Sequence, residues 1–212
     1  MTFCAEPVDP SRVGGVILAG GKSSRMGQSK AHLRFGDELM LQRAVRVVSE
    51  VVRPIVVVGA PGQALPPLPN QVTVARDQVA DRGPLQGLAA GFAAIKGKCD
   101  AAFACSCDVP LLRAAFVRKM IHLLGHHQIA VPYVEGYHHP LAAVYRLAVL
   151  AEVQKLLAAD RRRPAFLFKS ADTRVVQPEE LIEVDPGLDS LRNCNRPEDY
   201  RSALVSAGLS DG

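Results

Sequence analysis

The residues best placed to do chemistry fall in one stretch, Val16-Ile17-Leu18-Ala19-Gly20-Gly21-Lys22-Ser23-Ser24-Arg25-Met26-Gly27-Gln28-Ser29-Lys30. A short apolar run breaks into paired glycines, and Arg25 and Lys30 follow before any new apolar pattern begins. Glycine lets the backbone approach a ligand closely and take positive φ, so successive N–H groups can turn inward around an anion. The cations then neutralise what sits there, which is phosphate chemistry; a surface turn with solvated charges is the plainer alternative. A P-loop is excluded, because its first glycine would fall on Val16 inside the apolar run. A dinucleotide fingerprint is excluded too, since Gly20, Gly21 and Gly27 have the wrong spacing.

A second chemical group is Asp108 in Cys105-Ser106-Cys107-Asp108-Val109-Pro110, at the end of another apolar run. Ligands of open parallel sheets sit outside the carboxyl ends of the strands, so Asp108 is expected beside the glycine loop. Mg²⁺ carried on a triphosphate needs only one or two protein carboxylates, because phosphate oxygens and water complete its octahedron. The alternative role for a lone Asp here is a helix cap. The five cysteines, Cys4, Cys99, Cys105, Cys107 and Cys194, match no zinc spacing and read as free thiols. His138 and His139 have no ligand set near them, and no zinc is assigned.

These groups need strands and helices to hold them. The chain has 212 residues, 48% of them hydrophobic, which suits one large α/β domain. That domain is expected over residues 13–205, after a loose tail at 1–12. Strands are expected at 13–18, 55–58, 72–75 and 101–105, and helices at 39–52 and 114–124. Pro84 opens a further helix whose Gly87 and Gly91 leave one face bare, for the sheet or for a ligand. From residue 129 the gaps become too short for crossover helices, so the otherwise mostly parallel sheet should gain an antiparallel addition in its C-terminal half. Residues 146–159 read as helical. Asp160-Arg161-Arg162-Arg163 then forms a cationic cluster, either solvated or facing a small anionic acceptor.

The formal net charge is +4, from 25 basic and 21 acidic residues, too small for a nucleic-acid coat. There is no run of about eighteen apolar residues, and Glu6 and Asp9 precede the first apolar segment, unlike a signal peptide. A cytoplasmic protein with no membrane or nucleic-acid partner is expected.

The stretch from Leu18 to Lys30 resembles the Leu-Ala-Gly-Gly-x-x-x-Arg-Met-Gly-x-x-Lys signature of nucleotidyltransferases. Together with Gly83-Pro84-Leu85-Gln86-Gly87, Cys105–Pro110, the His139-Pro140 strand, Arg162-Arg163 and the Asn193-Cys194-Asn195-Arg196-Pro197-Glu198 tail, the chain resembles the molybdenum cofactor guanylyltransferases. That resemblance implies a Rossmann-like three-layer fold and transfer of GMP from GTP to the phosphate of molybdopterin. It implies GTP contacts at Leu18, Ala19, Gly20, Gly21, Lys30, Asp77, Gly83, Pro84 and Asp108, with Mg²⁺ on Asp108. Arg25, Lys30 and Asp108 would carry catalysis; His139, Arg162, Arg163, Asn193 and Asn195 would meet the acceptor. Molybdoenzymes or other cofactor-biosynthesis proteins are the implied protein partners. The bare face of Gly87 and Gly91 is accordingly expected in the nucleotide cleft. One departure concerns the base: Gly59 stands where the family commonly has an asparagine that contacts GTP. A cytidylyltransferase, a sugar-1-phosphate nucleotidylyltransferase and a nucleotide-binding regulatory protein are the rival readings.

Overall fold

The computed structural model of the chain describes residues 6–20, 29–77 and 83–209. In chain order its strands are β1 Val13–Leu18, β2 Arg34–Phe35, β3 Glu38–Leu39, β4 Ile55–Gly59, β5 Val72–Arg76, β6 Ala101–Ser106, β7 Ile129–Val134, β8 Tyr137–His138, β9 Ala142–Arg146 and β10 Thr173–Val176. The α-helices are α1 Met40–Ser49, α2 Pro84–Ile95, α3 Ala114–Leu124, α4 Leu150–Ala158, α5 Pro164–Ser170 and α6 Pro197–Ser206. The main sheet has the order β10-β7-β9-β6-β1-β4-β5, with β8 paired to β7. β5, β4, β1 and β6 run parallel, and β9 lies antiparallel between β6 and β7. The expected antiparallel addition is therefore β9, inserted between β6 and β7, together with the short β8, which pairs antiparallel with β7.

Three layers follow from strand alternation. Every residue of β1, β4 and β6 is buried, as a continuous apolar run between two helical layers requires. Ile17, Val57 and Phe103 face α1 and α3, while Val16, Val56 and Ala104 face α2 and α4. A third cluster packs α6, through Ala203 and Leu204, on Leu33, Phe35, Met40 and Cys194. That contact ties the C-terminal tail to the segment just after Lys30.

Three local expectations differ from what is observed. Residues 9–12, expected within a loose tail, form a turn capped by the Asp9 carboxylate, and Arg12 pairs with Asp100 at 2.5 Å. Arg146 ends β9 rather than opening a helix; its guanidinium is held by the carbonyls of His127 and Gly125, and α4 begins only at Leu150. The bare glycine face of α2 is turned to the sheet and not to a ligand. A Cβ on Gly91 would stand 2.3 Å from Val16 Cγ1, and one on Gly87 would stand 3.1 Å from Leu18 Cδ1. Spacing reveals that a face is empty; the neighbour that fills it is a matter of tertiary packing.

Gly91 is thus required by close approach. On an open helix face Gly→Ala would stabilise by about 1 kcal/mol, whereas overpacking costs about 1–3 kcal/mol. Gly91→Ala should lower stability in urea unfolding, and an unchanged or raised midpoint would contradict the packing described.

Candidate active site

The ends of β1, β4 and β6 meet on one edge of the sheet. Leu18 is in register with Val58 and with Ser106, the Leu18 carbonyl accepts from Cys107 N, and Ala19 N donates to the Val58 carbonyl. Gly20 follows, with Ala60 N only 3.0 Å from where its Cβ would stand, so a side chain here would press on the β4 loop. Gly21 and Arg25 lie outside the described residues.

Lys30 starts a short turn, Lys30–His32, and its ammonium is largely shielded, with 16% of the side chain exposed. Nζ donates to Asp108 Oδ2 at 2.7 Å and to Asn195 Oδ1 at 2.8 Å. The other Asp108 oxygen accepts from Ser106 Oγ, and the Asp108 carbonyl accepts from Cys194 N. Asp108 is therefore no helix cap: it faces the Lys30 ammonium, while α3 begins beyond Arg113. Asn195 does not cap α6 with its side chain either. Asp199 accepts from the backbone N–H groups of Asn195 and Arg196, which frees the Asn195 amide to reach Lys30.

Beside Asp108, a cleft of 260 Å³ is lined by Val109, His138, His139, Leu191 and Asn193, among others. Two of the expected acceptor residues, His139 and Asn193, thus share one cavity, which Val109, the residue after Asp108, also lines. Burial pushes the His139 imidazole below its ordinary pKa and favours the neutral ring. Burial raises the thiols of Cys107 and Cys194 to about 12, with the Asp108 charge adding to it, so both stay protonated and unreactive at neutral pH.

The remaining expected residues sit on other elements. Asp77 follows β5, half-buried, its N–H bonded to the Gly59 carbonyl. Gly83 has φ +80°, a conformation that requires glycine, and delivers Pro84 to the first position of α2. Arg162 is paired with Asp160 at 2.6 Å, and its carbonyl lies 3.7 Å from the Cβ position of Gly83. Arg163 is exposed and precedes α5. The backbone of Arg162 therefore approaches Gly83 before α2, and its side chain pairs with Asp160 at the surface.

Sequence reading missed two side chains. Gln63, inside a proline-rich loop, accepts from Ala60 N through Oε1 and donates from Nε2 to the Ala19 carbonyl, each at 2.9 Å. Arg76 donates to the carbonyls of Ala60 and Gln63. Nothing in the loop's composition signals these contacts; the arginine at a strand end beside Asp77 is the one available cue.

Among the described residues no group of three or more His, Cys, Asp and Glu could cage a metal alone. A hard cation that brought its other oxygen ligands with it would find in Asp108 a carboxylate of suitable chemistry, already gathered with a cation.

Comparison with known proteins gives the family and the fold. The model of the MobA-like NTP transferase domain matches residues 15–174. A probable molybdenum cofactor guanylyltransferase of Mycobacterium ulcerans (strain Agy99) is 35% identical over 189 residues, 85% of this chain and 92% of that one. Three solved structures share the fold at low identity. Molybdopterin-guanine dinucleotide biosynthesis protein A from Archaeoglobus fulgidus has a TM-score of 0.75 at 16% identity, over 92% of this chain and 98% of that one. 2-C-methyl-D-erythritol 4-phosphate cytidylyltransferase from Thermus thermophilus has 0.69 at 16%, over 92% and 99%. A Mycobacterium tuberculosis protein in complex with manganese has 0.64 at 17%, over 92% and 100%. With three-quarters of its length under one family model and a relative 35% identical over 85% of it, the chain belongs to the MobA-like NTP transferase family and is a nucleotidyltransferase.

Proposed function

We propose that this enzyme transfers GMP from GTP to the phosphate of molybdopterin, releasing pyrophosphate. The observation that carries the reading is the bridge from Lys30 to Asp108 and Asn195, which joins the phosphate loop to the strand-end carboxylate and to the acceptor-side tail. The named relatives support guanine as the base and molybdopterin as the acceptor. A phosphate nucleophile is already ionised at neutral pH, so displacement at the α-phosphorus needs positioning and charge neutralisation rather than a general base. Lys30, and Arg25 in the loop before it, would neutralise the triphosphate. Leu18, Ala19 and Gly20, with Gly21, offer backbone groups to the nucleotide, and Asp77, Gly83 and Pro84 complete that side. His139, Asn193 and Asn195 would receive the acceptor, with Arg162 and Arg163 adding positive charge beside the start of α2. A divalent ion, Mg²⁺ in this reading, would be held by Asp108 and would supply further charge neutralisation on the triphosphate. No helix of the described residues is long and apolar enough to cross a membrane. A cytoplasmic enzyme that hands its product to molybdoenzymes fits the substrates.

The direct test is to incubate the protein with Mg²⁺, molybdopterin and each of GTP, CTP and ATP, then identify the dinucleotide by mass spectrometry. Only the guanine dinucleotide should accumulate at an appreciable rate. The cytosine product would favour the cytidylyl alternative, and no product with any nucleotide would favour a regulatory binding protein.

Three variants probe the roles. Lys30→Ala should lose about 10²–10³ in rate while keeping its circular dichroism spectrum, as expected for one preorganised charge donor; near-wild-type turnover would contradict it. Asp108→Asn keeps the shape and an oxygen but loses the charge that a hard cation prefers, so its activity should need more Mg²⁺ than wild type. A superimposable Mg²⁺ titration would remove Asp108 from the metal. Asn193→Ala should raise the molybdopterin KM several-fold and leave the GTP KM unchanged; the reverse split would move the cleft to the nucleotide side.

A further inference from the structure

Gly59 ends β4 and is in register with Arg76, the last residue of β5. A Cβ on Gly59 would lie 2.6 Å from Arg76 Nη1, so the guanidinium fills the space into which a side chain at position 59 would project. Nη1 is fixed there by the carbonyls of Gln63 at 2.7 Å and Ala60 at 3.3 Å. Gln63 in turn is clamped to Ala60 N and to the carbonyl of Ala19 in the β1 loop. The guanidinium is therefore tied, through two short links, to the backbone that is to present the nucleotide. Its Nε and Nη2 make no hydrogen bond to any described residue, and the side chain is exposed at the carboxyl edge of the sheet.

A guanidinium held by one nitrogen keeps a planar pair of donors, and that pair matches two adjacent acceptors in one plane. Guanine offers such a pair in O6 and N7; adenine has an amino donor in place of O6, and cytosine offers a donor at N4. We propose that Arg76 is the residue that reads the guanine base of the nucleotide, in place of a side chain at position 59. The inference rests on the guanylyl reading above and gives it a specificity-determining side chain. Arg76 takes no part in the displacement itself.

The test compares GTP with 7-deaza-GTP, which keeps every phosphate and O6 but replaces N7 with a C–H. Wild type should prefer GTP by about tenfold in kcat/KM. In Arg76→Ala the preference should fall close to one, and in Arg76→Lys, which keeps the charge but loses the fork, it should remain low. Because each ratio is taken within one variant, a general loss of folding or activity cancels. If Arg76→Ala lowers GTP, 7-deaza-GTP, CTP and ATP by the same factor, the guanidinium serves the phosphates or the loop, and base reading is overturned. A wild type that prefers GTP over CTP but uses GTP and 7-deaza-GTP equally also overturns it. Equal use of CTP and GTP by wild type would sink the guanylyl reading itself, a separate outcome.

Discussion

The ammonium of Lys30 is the point on which the site converges. It contacts a carboxylate 78 residues away and a tail amide 165 residues away, at 2.7 and 2.8 Å. A charge withdrawn this far from water must be paired, and an unpaired partner left behind is costly. Asp108 is equally shielded, at 14% exposure, so loss of Lys30 would leave that carboxylate with Ser106 as its side-chain donor. The pairing also sets the chemistry. In the proposed reading these two groups are the cation for the phosphates and the carboxylate for a metal-bearing triphosphate, gathered before any substrate arrives.

The fold exists to make that convergence possible. Parallel pairing brings the β1 and β6 ends out on one edge, with Leu18 opposite Ser106. α2 can lie close under β1 because Gly87 and Gly91 carry no side chains, and that closeness sets where its Gly83 end begins. α6 anchors on Leu33, Phe35 and Met40, which brings Asn195 back to Lys30. Gln63 and Arg76 brace the other flank, tying the β1 loop to β4 and β5. In the proposed reading, nucleotide and acceptor sides are separate regions that Lys30 joins through Asp108 and Asn195.

Much of this was legible in the chain. Apolar runs bounded by glycine, proline or charged residues fix β1, β4 and β6 within a residue of their observed ends, as expected of strands buried on both faces. Asp108 at a strand end is equally readable, since topology dictates which edge receives ligands. What escaped was long-range side-chain geometry. Asn195 is singled out by resemblance alone, with nothing in its spacing to pair it with Lys30, and the Gly87–Gly91 face reads as a ligand surface until Val16 is seen against it. Gln63 sits in a loop without periodicity, so no local rule could pair it with Ala19. Arg146 fits a helix start by pattern, yet the carbonyls that hold its side chain belong to Gly125 and His127, outside its own segment.

The most direct measurement is a double-mutant cycle on kcat/KM with Lys30→Ala, Asn195→Ala and the pair together. If one ammonium joins the phosphate loop to the acceptor-side tail, the losses are not additive: once Lys30 is gone, removing Asn195 costs little more, with a coupling of about 1 kcal/mol or above. Losses that simply multiply, within a few tenths of a kcal/mol, would mean that Lys30 and Asn195 act independently and that the bridge does not assemble the site.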